Sequence, residues 1–222
     1  MKDKEFGNGT WITSHLIAAW SISNKNPAIF CNCFRFIVSE LPCDECRKHA
    51  TNYLNSHPPE HSPNCFNWLW EFHNFVNKRL NKPEITLAEA DKLFIQGYIK
   101  ELNDDRFGNG VWVTCQFIAK WADTNEKQKL FNIWIRYICQ NLPKYRDISE
   151  FYIQTHPPEN SIDPFVWMFE FHNFINDSEG VGKPVLLFTT VRDLFYFGQI
   201  KNCDSCGSET LPQKINIPLI RH

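Results

Sequence analysis

The chain states one pattern twice, and whatever fold the first statement adopts the second must adopt as well. Phe6-Gly7-Asn8-Gly9-Thr10-Trp11-Ile12-Thr13 returns as Phe107-Gly108-Asn109-Gly110-Val111-Trp112-Val113-Thr114. Leu41-Pro42 returns as Leu142-Pro143, and His57-Pro58-Pro59-Glu60 as His156-Pro157-Pro158-Glu159. Glu71-Phe72-His73-Asn74-Phe75 recurs unchanged as Glu170-Phe171-His172-Asn173-Phe174, Lys82-Pro83 as Lys183-Pro184, and Leu93-Phe94 as Leu194-Phe195. The echoes keep their order at a spacing of about 100 residues, the length of a domain rather than of a solenoid repeat. The expected division is therefore residues 1–102, residues 103–202 and a tail over 203–222. Two such copies can pack around an approximate two-fold axis as a fused pseudo-dimer.

Each copy reads as helical. Trp11, His15, Ile17, Ala18 and Ala19 follow helical spacing, and Gly7-Asn8-Gly9-Thr10 offers a start signal. Pro27 can open a second helix running toward Glu40. A third spans Cys43 to Asn55 and stops before His57-Pro58-Pro59. A long aromatic fourth runs from about Asn64 to Leu80 after Pro63. Thr86-Leu87-Ala88-Glu89 is a capping box for a fifth, Leu87 to Lys100. No segment alternates like a strand, so the expected class is all-α: two tandem bundles, each a four-helix core plus a short fifth helix.

With Lys and Arg nearly balancing Asp and Glu, the formal net charge is −2, which gives no electrostatic reason to expect a nucleic-acid partner. The opening Met1-Lys2-Asp3-Lys4-Glu5 leads into no apolar h-region, which argues against a signal peptide. No stretch approaches the about 20 apolar residues of a membrane span. The expectation is a soluble, cytoplasmic protein with no membrane partner. Nine cysteines are many for that setting, where disulfides are transient, catalytic or redox-sensing.

The copies part company at the chemistry. Cys43-Asp44-Glu45-Cys46 becomes Lys144-Tyr145-Arg146-Asp147, and His15 becomes Gln116. At a helix start, amide groups and the macrodipole lower the pKa of the first cysteine and favour its thiolate. Exchange proceeds by thiolate attack, so an exposed first cysteine and a sheltered second make a directional pair. A thioredoxin-like motif would need a βαβ pattern absent here. The competing reading is a zinc-stabilised helical interaction module, which needs four ligands and has Cys203-Asp204-Ser205-Cys206 as its one further Cys-x-x-Cys. Cys31 and Cys33 sit badly for an intrahelical bridge, and Cys65, Cys115 and Cys139 read as buried thiols. His73 and Asn77 share a helix face, flanked by Asn74 and Val76, and polar groups crowded among aromatic rings need partners.

Thr10-Trp11…His15…Ala18-Ala19, then Pro42-Cys43-x-x-Cys46, then Trp68-Leu69-x-x-x-His73-Asn74-x-Val76-Asn77…Leu80-x-Lys82-Pro83 resembles the Erv/ALR flavin-dependent sulfhydryl oxidases. The resemblance covers the first copy in order and spacing. It implies a helical bundle holding FAD, disulfide formation in thiol-containing substrate proteins or a thioredoxin-like relay, and oxygen reduced to hydrogen peroxide. It assigns Cys46 as the flavin-proximal sulfur and Cys43 as the interchange sulfur. Trp11, His15, His73, Asn74, Val76, Asn77 and Lys82 would line the FAD, with no metal in the site. Departures are Asn8 where the family has a basic residue, and Phe94 and Tyr98 where it has late tryptophans. Cys203 and Cys206 are the candidate shuttle pair, and the second copy is expected to be catalytically inert. A viral source would fit, in host cytoplasm or virion, and a homodimer of whole chains stays open beside the intrachain pair.

Overall fold

The structure, a computed structural model, describes residues 3–41, 43–101, 108–142, 145–178 and 184–196, with side chains described from residue 9 onward except at 101, 108, 109 and 196. Among the described residues every regular element is helical. The first half contains α1 (Asp3–Ser23), α2 (Pro27–Ser39), α3 (Asp44–Ser56), α4 (Cys65–Arg79) and α5 (Leu87–Ala90). The second contains α6 (Gly108–Trp121), α7 (Asn125–Gln140), α8 (Arg146–Thr155), α9 (Pro164–Asp177) and α10 (Phe188–Tyr196). The expected boundary at 102/103 and the tail 203–222 lie outside the described residues.

Local chemistry sets most of these limits. Pro27 occupies the first turn of α2, where its missing N–H costs no bond. Asn64 caps α4 by accepting from the amides of Phe66 and Asn67, and Asp163 caps α9 through Phe165. The capping box between Thr86 and Glu89 forms, with Glu89 returning a bond to the Thr86 amide at 2.8 Å. Two expectations fail. The fifth helix does not run to Lys100: after one α-turn the chain widens into a π-turn over Asp91–Ile95, stops at Gly97 (φ +79°) and resumes as a 3-10 turn over Tyr98–Glu101. Nor does the first helix start at Gly7–Thr10, because α1 runs from Asp3 straight through both glycines.

The reason for glycine within α1 is its closest neighbour. A Cβ on Gly9 would overlap the backbone nitrogen of Val111 and the carbonyl carbon of Gly110, so α1 and α6 cross there with no side chain between them. Next to the crossing, Thr114 donates its hydroxyl to Thr10 at 3.0 Å. From this point α1 packs along α6, α1 also meets α7, and α2 meets α6. A single hydrophobic core runs across both halves, from Leu16, Phe34 and Phe72 to Trp134 and Phe171. A smaller cluster in the second half joins Val113, Phe117, Phe165, Val191 and Phe195.

The halves repeat several specific contacts. Trp68 Nε1 donates to the His57 carbonyl at 2.8 Å, and Trp167 Nε1 does the same to His156. Arg35 clasps Glu60, and Arg136 clasps Glu159. These bonds fasten the His-Pro-Pro-Glu turn to α4 and α2 in the first half and to α9 and α7 in the second.

Candidate active site

The dithiol stands where α2 hands over to α3. Cys43 is the N-cap of α3, its Sγ accepting the Cys46 amide at 3.1 Å, and the two cysteines are joined as a disulfide with Cα atoms 5.1 Å apart. Arg47 follows directly, donating to the Leu41 carbonyl and pairing with the Asp44 carboxylate. One guanidinium thus spans the loop from its approach to its first helical turn. Exposure runs opposite to the expectation of an exposed first and sheltered second cysteine. Cys43 is 7% exposed, folded back onto the helix end as a cap, whereas Cys46 is half-buried. A helix N-terminus with an aligned amide favours the Cys43 thiolate once the bond is reduced.

Next to the dithiol helix lies an aromatic cluster built from α1, α4 and the π-turn. Trp11 stacks on His73 with ring centroids 4.1 Å apart, and His15 stacks on Phe94 at 4.7 Å. His15 Nε2 and His73 Nδ1 are hydrogen-bonded at 3.2 Å, one ring donating and the other accepting. Trp11 meets Phe72 edge-on, and Phe72 packs against Tyr53 of α3 at 4.7 Å. Cys46, Ala50 and Tyr53 follow helical spacing on one face of α3, so Cys46 lies two turns, about 10 Å, from the ring that touches the cluster.

Burial keeps both imidazoles neutral. It drives the His15 pKa well below its ordinary value, with the His73 charge adding to the effect. His73 is lowered to about 4, first by burial and then by the Lys82 ammonium. The Nδ1 of His15 is buried without a hydrogen-bond partner. A flat heterocycle with hydrogen-bonding edges suits this surround: stacking surfaces from Trp11 and Phe94, and one polar atom still to be satisfied. The residues present therefore fit a flavin.

The other expected lining residues fall into different positions. Asn74 is occupied: its Nδ2 donates to the Ile85 carbonyl at 2.7 Å and its Oδ1 accepts the Ile85 amide at 2.9 Å, while Trp70 Nε1 donates to the same carbonyl. It clamps the chain returning from α4. Asn77 is buried, Val76 is partly buried against the core, and Lys82 is exposed. Asn81 takes the left-handed conformation (φ 52°), so that Lys82 N–H bonds the Asn77 carbonyl at 2.8 Å and Asn81 N–H that of Lys78 at 3.2 Å. This Schellman-type stop turns the chain back and brings Lys82 near His73. Phe94 belongs to the site as His15's stacking partner; its echo in Phe195 was the sequence signal for it. Arg47 carried no such signal.

In the second half the frame persists and the site changes. Trp112 stacks on His172, and Asn173 clamps Leu186 through bonds at 2.9 and 2.8 Å. Gln116, in the place of His15, donates to the Phe165 carbonyl at 3.0 Å, and Phe195 packs against Phe117 and Phe165. Where the dithiol would stand, Tyr145 caps α8 in the left-handed region at φ 66°. The remaining described cysteines, Cys31, Cys33, Cys65, Cys115 and Cys139, are buried free thiols. Burial raises Cys31 to about 11 and Cys65 and Cys139 to about 12, which keeps them protonated and unreactive. Among the described residues no three His, Cys, Asp or Glu side chains converge as a metal set. Cys203 and Cys206 lie outside the described residues.

Known proteins share the part of the chain that builds this site. Residues 8–95 match the Erv1 / Alr family. An African swine fever virus protein named FAD-linked sulfhydryl oxidase is 39% identical over 87 residues, covering 38% of this chain and 66% of the relative. Sulfhydryl oxidase 1 of Oryza sativa subsp. japonica is 32% identical over 91 residues, 40% of this chain and 18% of the relative. Sulfhydryl oxidase 1 of Arabidopsis thaliana is 31% identical over 91 residues, 40% of this chain and 17% of the relative. This chain thus spans about two thirds of the viral protein's length and less than a fifth of either plant protein's. No solved structure matches it. Over residues 8–95, the segment that holds the disulfide and the histidine–tryptophan cluster, the chain belongs to the Erv1 / Alr family.

Proposed function

We infer that the protein is an FAD-linked sulfhydryl oxidase that introduces disulfides into thiol-bearing proteins, directly or through a thioredoxin-like relay. The observation that carries this reading is a disulfide capping α3 on the helix whose Tyr53 ring adjoins the Trp11–His73 cluster. A substrate thiolate attacks Cys43 Sγ, forming a mixed disulfide as the Cys43–Cys46 bond breaks and Cys46 leaves as thiolate. A second substrate thiol then displaces Cys43, so the substrate is oxidised by two electrons and the pair of cysteines reduced. The Cys46 amide stabilises the Cys43 thiolate during that displacement. Bound FAD supplies the acceptor for that electron pair, with oxygen reduced to hydrogen peroxide. Trp11, His15 and His73 would hold its ring system, and Lys82, Val76 and Asn77 would stand at the margin of the same site. Asn74 acts on that site through the Ile85 clamp.

In this reading residues 1–102 form the active bundle and 103–202 its fused partner, the contacts of α1 with α6, α1 with α7 and α2 with α6 making a pseudo-dimer. The buried Gln116, its amide bonded to the Phe165 carbonyl where the first half has His15, supports one flavin per chain. Cys203 and Cys206 would relay electrons from substrate to Cys43. The viral relatives support a viral origin and a setting in host cytoplasm or virion. Among the described residues no helix is long and apolar enough to cross a membrane.

Oxygen uptake and peroxide formation with a dithiol test the activity. The wild-type protein turns over with one peroxide per dithiol oxidised, and Cys43→Ser and Cys46→Ser each abolish it. A colourless, zinc-containing protein without dithiol-dependent oxygen uptake would instead favour the interaction module.

A further inference from the structure

Two consecutive residues of α6, in the half without a dithiol, grip α2 in the half that has one. Trp121 Nε1 donates to Asn32 Oδ1 at 2.9 Å, and Lys120 Nζ donates to Glu40 Oε2 at 2.7 Å. Asn32 and Glu40 are eight residues apart, about 12 Å along the helix, so the two bonds fix both the position and the rotation of α2. Lys120 also donates to the Phe195 carbonyl at 2.9 Å and lies over the Phe36 ring. The Lys120 and Glu40 side chains are only 18% and 23% exposed, so solvent screens this pair less than an ordinary surface pair.

Glu40 is the last hold before the redox loop. It caps the C-terminus of α2, Leu41 follows with its carbonyl held by Arg47, and Cys43 comes two residues later. The geometry of Cys46 is set by α3 itself. That of Cys43, outside the first helical turn, depends equally on the segment that delivers it. With Arg47 tying Leu41 to α3 and Lys120 tying Glu40 to α6, that segment has little slack, and Cys43 stays folded against the helix end.

We propose that Lys120 is a positioning residue for the Cys43–Cys46 couple, bracing the loop through Glu40 so that the second half takes part in the redox chemistry of the first. A braced loop keeps the two sulfurs at high effective concentration, which stabilises the disulfide against reduction, and it limits access to Cys43. The inference rests on the sulfhydryl-oxidase reading for its purpose, though not for its measurement.

The test equilibrates full-length flavoprotein with glutathione buffers under argon and separately follows alkylation of Cys43 by iodoacetamide after reduction, read on the Cys43 peptide. Lys120→Met makes the disulfide about 3–10-fold easier to reduce, a potential about 15–30 mV less negative, and speeds alkylation by about the same factor. Glu40→Ala reproduces both changes, the double variant adds nothing further, and Lys120→Arg restores both. Flavin content and visible spectrum do not move. Values within twofold of wild type for Lys120→Met and Glu40→Ala would overturn the proposal, as would additive effects in the double variant. A wild-type protein that takes up no oxygen with a dithiol would defeat the oxidase reading instead, leaving both readouts of the brace intact.

Discussion

His73 shows how one residue ties the site to stability. Its pKa falls from the ordinary 6.5 to about 4, because a charged imidazole loses its hydration among Trp11, His15 and Phe72 and faces Lys82. The unfolded chain therefore binds more protons than the fold between those two values. This contribution is fully present above pH 6.5 and is lost as pH falls toward 4. At about 1.4 kcal/mol for each unit of pKa, the loss approaches 3 kcal/mol. Urea unfolding at pH 7 and pH 4.5 checks it: His73→Phe shrinks the difference between the two midpoints by about half, the rest belonging to His15 and the surface. An undiminished difference would assign the acid sensitivity to other groups.

Asn74 gives the second residue-scale prediction. Both of its polar groups serve Ile85, and Asn173 serves Leu186 in the same manner. Replacing either by Leu leaves a backbone amide without its partner, at a cost of about 1–3 kcal/mol in unfolding free energy. The two variants are expected to lose similar stability, with only Asn74→Leu also weakening flavin retention on gel filtration. An asparagine among aromatic rings reads from sequence as a ligand, since it must bond something. The partner it bonds is the backbone of Ile85, eleven residues downstream. The unchanged Glu-Phe-His-Asn-Phe in the copy lacking a dithiol already pointed to scaffold.

At the scale of elements, most helix limits were legible because they depend on neighbours in sequence: Pro27, Asn64, Asp163 and the Thr86–Glu89 box all act within a turn. What sequence hid depends on distant partners. Gly7 and Gly9 look like a helix start, yet Gly9 lies within α1 because Gly110 and Val111 press against it from α6. The sign of one substitution distinguishes these accounts. In an exposed helix, Gly→Ala stabilises by about 1 kcal/mol. Here Gly9→Ala forces α1 and α6 apart and should cost about 3 kcal/mol or more, read as a fall of several degrees in the thermal midpoint. A rise in that midpoint would mean that the crossing is not as close as described. The π-turn after α5 was likewise illegible, and it is the segment that presents Phe94 to His15.

For the whole molecule, the two halves share a core and a set of contacts but differ in what fills one position. His15 leaves a buried nitrogen without a partner, whereas buried Gln116 donates to the Phe165 carbonyl, and the Phe165 ring packs on Phe195, which packs on Phe117. The expected flavin content is one per chain, measured by releasing the flavin and quantifying it against protein; a ratio near two would mean that the Gln116 position does not keep a second flavin out. The loss of Cys43, Cys46 and His15 from the second copy was plain in sequence. Its grip on α2 was not, because Lys120 and Glu40 are eighty residues apart and ordinary in composition.

In the proposed reaction, electrons enter at Cys43–Cys46 and leave through a flavin held beside Trp11, His15 and His73. Anaerobic titration of the purified flavoprotein with a dithiol measures that transfer with oxygen removed. The visible flavin band of the wild-type protein is expected to bleach as reductant is added and to return on admitting air, whereas in Cys46→Ser it stays. Bleaching of Cys46→Ser at the wild-type rate, or a wild-type protein whose flavin the dithiol leaves untouched, would contradict it.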